Sequence, residues 1–138
     1  MGEGMFWVGL GALGGVALLA MLRLVAPSRL DIGVFGTTCS IYAVYVGLAL
    51  GGPLPTVILE ALIAVAAPLI VLALWRHRIV LMPAFLLFHA GLDLAHELLS
   101  VGFPPLWYVQ ACLSLDVVFA IGAYVLMRRA SKNQGNLP

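Results

Sequence analysis

Charged residues are scarce in this chain. Its 138 residues include seven lysines and arginines and six aspartates and glutamates, so 9% are charged while 63% are hydrophobic. A soluble domain of average composition is about 25% charged. This shortage excludes a disordered segment, a nucleic-acid-binding protein and a soluble enzyme, because each of these needs far more polar surface. The composition therefore favours an integral membrane protein.

Cysteine is almost as rare. The two cysteines, Cys39 and Cys112, have no C-x-x-C spacing and both lie inside long apolar runs. A disulfide scaffold is therefore excluded and a redox pair is not expected, because both require closely spaced or numerous cysteines. An isolated cysteine in an apolar environment commonly behaves as a small apolar residue.

The apolar residues form five long segments. About 20 residues, rising about 1.5 Å each, cross a hydrocarbon core that is about 30 Å thick. The segments cover residues 5–24, 30–50, 54–75, 79–101 and 105–127. None alternates with the period of two that a barrel strand requires. We therefore predict an all-α integral membrane protein: one five-helix transmembrane domain over residues 1–129, followed by a polar cytoplasmic tail over residues 130–138.

The basic residues indicate how the helices are oriented. Lysine and arginine in short loops stay on the cytoplasmic side of a membrane. They fall only near the first connection, in the third connection and after the fifth segment, at Arg23, Arg29, Arg76, Arg78, Arg128, Arg129 and Lys132. This pattern predicts an N-terminus outside and a C-terminus in the cytoplasm. We expect the plasma (inner) membrane of a prokaryote, contact with membrane lipid and no nucleic-acid partner.

Four of the six acidic residues lie inside the apolar segments rather than beside them. At 1.5 Å per residue from the outer ends, Glu60 is about 9 Å deep, Asp93 about 12 Å, Asp116 about 16 Å and His89 about 18 Å. The fourth acid, Glu97, lies beside His96 nearer the surface. The ionisable side chains therefore occupy one layer between the outer third of the membrane and its middle.

Helical spacing predicts that these side chains share faces. A charged side chain that faces lipid near the helix centre costs at least ~2.5–3.5 kcal/mol, so each polar face should point into the bundle. The three faces consist of His89, Asp93 and His96, widened by Glu97; of Tyr108, Cys112 and Asp116; and of Thr38, Tyr42 and Tyr45. No basic residue other than histidine lies in the layer. The carboxyl groups must therefore be protonated, paired with histidine or bound to a cation.

The leading functional hypothesis is a membrane-embedded enzyme. Acid–base chemistry of the isomerase, cyclase or hydrolase type would act on a small lipid-soluble substrate, in a cavity open toward the outer leaflet and lined by the second to fifth segments. The predicted catalytic residues are Glu60, His89, Asp93, His96 and Asp116. The predicted substrate-binding residues are Tyr42, Tyr45, Glu97, Trp107, Tyr108 and Cys112.

Three alternatives use the same polar layer. His89, Asp93 and His96 have a spacing that suits a divalent metal, zinc or iron, which would assist the reaction. Chains of acidic and histidine residues also occur in proton and cation transport proteins. An accessory subunit of a larger membrane complex would use the layer as a network between helices.

The first segment contains glycines instead of ionisable residues. Gly11 and Gly15 form a small-xxx-small surface, which lets two helices approach closely. This surface predicts either close packing within the chain or a homo-oligomer formed through Gly11 and Gly15.

Overall fold

A computed structural model describes residues 2–25, 27–99 and 104–135 of the chain. It contains five α-helices: α1 (Gly2–Leu22), α2 (Leu30–Ala49), α3 (Leu54–Ala73), α4 (Arg78–Leu99) and α5 (Leu106–Gly135). Single 3₁₀ turns at Pro27–Arg29 and Trp75–His77 precede α2 and α4. The described ranges contain no strand. The predicted all-helical, five-helix fold is confirmed.

All five helices are long and apolar enough to span a membrane. Their outward faces are apolar as well: on α3, for example, the exposed side chains include Ile58, Leu62, Val65, Leu69 and Leu72. A soluble protein rarely exposes a continuous apolar face of this kind, whereas a helix in lipid needs one. These features indicate a membrane protein.

Helix boundaries follow the sequence except at the end of α5. The helix α2 is continuous from Leu30 to Ala49 although it contains three glycines. The helix α5, predicted to end near residue 127, continues to Gly135. Arg128–Gln134 lacks glycine and proline, so nothing in the tail stops the helix before Gly135.

The helix α5 is central to the bundle. It packs along α1 on one side and along α4 on the other, while α2 lies against α3 and reaches both α4 and α5. The close contact of α1 with α5 depends on glycine. A Cβ atom on Gly11 would overlap the carbonyl group of Ala111, and one on Gly15 would lie 3.0 Å from the carbonyl oxygen of Leu115.

The glycine surface of α1 therefore faces α5 of the same chain. A side chain larger than hydrogen at Gly11 would push the two helices apart. The homo-oligomer through Gly11 and Gly15 stays a prediction, and in this arrangement it would compete with the contact to α5.

An apolar core fills the half of the bundle that lies toward the arginine-rich ends of α2 and α4. Its residues include Val34, Val71, Met82, Leu86, Phe119 and Ala123. At the rim of this half, Arg78 Nε donates to Asp31 Oδ2 at 2.6 Å and ties the start of α4 to the start of α2. The core separates the polar side chains of the other half from these charges.

Candidate functional site

Four ionisable side chains of α4 and α5 converge beyond the apolar core. His89, Asp93, Cys112 and Asp116 each offer one nitrogen, oxygen or sulfur atom, and these four atoms lie within 4.8 Å of one another. We call these four residues the buried polar group. The i, i+4 spacing puts each pair on one face of its helix, and the packing of α4 on α5 brings the two faces together.

The group is sealed from bulk solvent. Asp93 and Asp116 are 0% exposed, His89 is 2% exposed and Cys112 is 7% exposed. His89 Nδ1 lies 2.6 Å from Asp116 Oδ2, which is a hydrogen-bond distance, and 3.8 Å from Asp93 Oδ2. One imidazole therefore lies between two carboxyl groups, bonded to one and near the other.

Three carboxyl oxygens of the group are not satisfied by hydrogen bonds. Neither oxygen of Asp93 accepts a hydrogen bond of good geometry within the described part of the chain, although the Cys112 thiol interacts with this carboxyl group, and Asp116 Oδ1 also has no hydrogen bond there. A buried polar atom without a partner costs about 1–3 kcal/mol. Native structures contain few such atoms, and each calls for an explanation such as a chemical role or a bound ion.

Two tyrosines of α2 cover the imidazole. The rings of Tyr42 and Tyr45 contact the His89 ring edge to face, with centroids 4.7 Å and 4.5 Å away. The Tyr42 hydroxyl donates to the carbonyl oxygen of Phe85 at 2.7 Å, and this hydrogen bond ties α2 to the helical turn that carries His89. The ring of Tyr45 also contacts Tyr108 on α5, with centroids 5.5 Å apart.

An apolar groove of about 410 Å³ lies beside the group, between α1, α2 and α5. Cys112 belongs both to the group and to the wall of the groove, next to Tyr108. The hydroxyls of Thr37 and Ser40 also line it, but they donate to Gly33 and Gly36 of their own helix at 3.0 Å and 2.9 Å. These two hydroxyl groups are therefore already hydrogen-bonded, and the groove offers mainly apolar surface to a ligand. Other lining residues are Leu10, Leu18, Ile41, Val44 and Leu115.

The predicted site residues do not all lie together. His89, Asp93, Asp116 and Cys112 come together, and Tyr42, Tyr45 and Tyr108 surround them. Glu60 is buried on α3 but does not belong to the four-residue group. Trp107 is exposed, lines the groove and packs against Trp7, with ring centroids 5.2 Å apart. The side chains of His96 and Glu97 lie outside the described part of the structure.

The helices that line the groove differ from the sequence expectation. We expected a cavity lined by the second to fifth segments, and the groove is lined by α1, α2 and α5. The sequence signal for α1 was its glycine surface, since Gly11 brings α1 against α5. The hydropathy of a single segment does not report its neighbours, so the contribution of Leu10 and Leu18 was missed.

Of the three predicted metal ligands, His89, Asp93 and His96, the first two are described with their side chains. His89 and Asp93 lie together as the spacing indicated, and Asp116 and Cys112 of α5 lie beside them.

Comparisons of the chain with protein-family models, with curated proteins and with solved structures find no match. Function must therefore be argued from this site alone.

Proposed function

We propose that this protein is a membrane-embedded enzyme that performs acid–base chemistry on a small lipid-soluble substrate. The observation that carries the proposal is the placement of His89 between the carboxyl groups of Asp93 and Asp116, buried and without a neighbouring lysine or arginine. No lysine or arginine occurs between residues 79 and 127. Carboxyl groups that are poorly compensated by basic residues can hold and release protons, which is what a general acid or base must do.

The roles follow from the distances. His89 exchanges a proton with Asp116, because their atoms are 2.6 Å apart. Asp93 has both oxygens free of hydrogen bonds from described residues, so its protonated form can donate to an unsaturated carbon or an oxygen of the substrate. The rings of Tyr45 and Tyr108 would stabilise a developing cation. Isomerisation, cyclisation and hydration all fit, since each needs proton transfer and no soluble cofactor.

The groove supports a hydrophobic substrate. Its volume of about 410 Å³ is within the ~300–1,000 Å³ range of small-molecule sites. Its walls offer apolar side chains, and its polar side chains Thr37 and Ser40 bond to their own helix. A molecule already dissolved in the membrane could enter between α1 and α2 and bring its reactive end to Cys112, which lines the groove. Contact with Asp93, which is fully buried behind the wall of the groove, would then require a side-chain movement.

We further propose that the N-terminus is outside and the C-terminus is in the cytoplasm of a prokaryotic plasma membrane. The alternation of basic connections supports this orientation. In this orientation the buried polar group can be reached only from the outer half of the membrane, because the apolar core lies between the group and the arginine-rich end of the bundle. Access from one side favours a pocket over the continuous path that a proton or cation transport protein needs.

Solvent deuterium tests the proposal with any mixture of lipids that contains the substrate. Purified protein is reconstituted with a lipid extract of its expression host in deuterium oxide, and the lipids are then examined by mass spectrometry. In each of these reactions, as proposed, the acid of Asp93 protonates a substrate carbon, and this acid exchanges its proton with deuterium oxide. At least one lipid species should therefore gain carbon-bound deuterium. Asp93→Asn should abolish the gain, because an amide cannot donate or accept the proton.

Asp31→Asn is the matched control. Asp31 is an acid of the same type that lies at the rim and pairs with Arg78, so this variant should retain the full gain. A wild-type protein that incorporates no deuterium, or an Asp93→Asn variant that incorporates as much as wild type, would refute the proposal.

A further inference from the structure

We propose that the buried polar group binds one divalent transition-metal ion, with zinc as the best fit. His89, Asp93 and Asp116 are the ligands, and Cys112 stands at a fourth position that faces the groove. This proposal rests on the function proposed above and concerns the same site, but metal binding can be measured without the reaction. With an ion bound, Asp93 and Asp116 would be ionised ligands, so the proton-transfer roles given above belong to the metal-free protein.

The geometry suits a tetrahedral ion. Zinc bonds of about 2.0–2.3 Å place neighbouring ligand atoms about 3.3–3.8 Å apart. His89 Nδ1 is 2.6 Å from Asp116 Oδ2 and 3.8 Å from Asp93 Oδ2, and all four ligand atoms of the group lie within 4.8 Å of one another. The 3.8 Å separation falls within this range, whereas the 2.6 Å hydrogen bond is shorter than it. An ion would therefore replace that hydrogen bond, and side-chain rotations would move the His89 nitrogen and the Asp116 oxygen apart around it.

The charge balance favours a divalent cation. Two carboxylates and a neutral imidazole around a doubly charged ion form a neutral unit, and a neutral unit is far less costly to bury than two bare carboxylates. The three carboxyl oxygens without hydrogen bonds from described residues belong to Asp93 and Asp116. An ion at the centre of the group would give oxygens of both residues a partner.

Cys112 is placed differently from the other three residues. It lines the groove, and its thiol donates to the Tyr108 hydroxyl at 3.9 Å. A coordinated thiolate would add a negative charge to an otherwise neutral unit, so the thiol is not required as a ligand. Three protein ligands and a fourth position open to a substrate channel are typical of catalytic zinc, which acts as a Lewis acid.

Metal content of the purified protein tests this directly. Wild-type protein in detergent is stripped with a chelator, reloaded with zinc, dialysed and measured by elemental analysis. Wild type, Asp31→Asn and Cys112→Ala should retain stoichiometric zinc, whereas Asp93→Asn and Asp116→Asn should retain almost none. Zinc should also raise the unfolding temperature of wild type and Asp31→Asn, and should leave that of Asp93→Asn unchanged.

Cobalt spectroscopy tests the metal site in wild-type protein alone, so it does not depend on whether a variant folds. Wild-type protein loaded with Co²⁺ should show the intense visible bands of a four-coordinate ion. Wild type that retains no zinc, weak bands typical of six-coordinate cobalt, or a folded Asp93→Asn variant with full zinc content would overturn the proposal.

The two experiments can refute either proposal while leaving the other in place. If stripped protein incorporates deuterium but binds no zinc, the acid–base function stands and the metal site is refuted. If the protein binds zinc but neither the stripped nor the reloaded form incorporates deuterium, the metal site stands and the acid–base function is refuted.

Discussion

Asp116 and Asp93 have the same side chain and are equally buried, but they differ in their hydrogen bonds. Asp116 Oδ2 is within hydrogen-bond distance of His89, whereas neither oxygen of Asp93 has a hydrogen bond to a described residue. Removing a carboxylate that bonds to a buried partner lowers stability, while removing one without a hydrogen bond need not. The two residues therefore differ in how far folding depends on them.

Asp116→Asn should lower the free energy of unfolding by about 1 kcal/mol, because a neutral amide makes a weaker hydrogen bond to histidine than a carboxylate does. Thermal unfolding in detergent with a chelator present measures this change. Asp31→Asn serves as the comparison, since the partly exposed pair with Arg78 contributes about 0–1 kcal/mol. An Asp116→Asn variant as stable as wild type would show that the bond to His89 is not formed in solution.

The helical spacing of the sequence predicted which residues of the buried polar group share a helix face. His89 and Asp93 share one face and Cys112 and Asp116 share another, because residues four apart lie on the same side of a helix. The position of Glu60 was not predictable in the same way. One carboxyl group on α3 does not define how that helix is rotated against α4 and α5. The hydrogen bond from Tyr42 to the Phe85 carbonyl depends on helix packing and has no signal in the sequence.

At the scale of the helices, the contact of α1 with α5 depends on Gly11. Gly11→Val should lower the free energy of unfolding by about 1–3 kcal/mol, because its side chain would overlap the Ala111 carbonyl and separate the helices. Denaturant or thermal unfolding measures the loss.

Gly9→Ala is the matched control on the same helix. A Cβ atom at Gly9 meets nothing within 4 Å, and alanine is a better helix former than glycine by up to ~1 kcal/mol. This variant should be as stable as wild type or more stable. Equal losses for both variants would contradict the close packing of α1 on α5.

The sequence determines where each helix forms, but it does not determine which helices lie next to one another in the bundle. Each of the five helices was predicted because its length and hydropathy are properties of one segment. The central position of α5 between α1 and α4 depends on how pairs of helices pack against each other. The glycines of α1 were the sequence feature that indicated close packing of α1 on another helix. The groove between α1, α2 and α5 follows from that order, so its walls include α1, which the sequence does not place beside Cys112.

At the scale of the whole molecule, polar and apolar interiors occupy opposite halves of the bundle. The apolar core lies toward Asp31 and Arg78, and the buried polar group lies beyond it. The distribution of basic residues predicts that the core half faces the cytoplasm. The reactive half would then be reached from the outer leaflet.

Cysteine labelling tests this orientation. Gly51→Cys, in the exposed connection after α2, should react with a membrane-impermeant maleimide in intact cells. Ser131→Cys, near the end of α5, should react only after the membrane is permeabilised. Wild type, with Cys39 and Cys112 inside the helices, is the background control. Labelling of Ser131→Cys in intact cells would reverse the proposed orientation.

The central claim is that the carboxyl group of Asp93 serves chemistry and does not stabilise the fold. The free energy of unfolding of Asp93→Asn, measured in detergent with a chelator present, tests it most directly and needs no substrate. The variant should differ from wild type by no more than about 1 kcal/mol, because the amide has the same shape and only a weak thiol interaction and a 3.8 Å contact with His89 are changed. A loss of about 3–5 kcal/mol, as expected when a buried ionic network is broken, would contradict the claim.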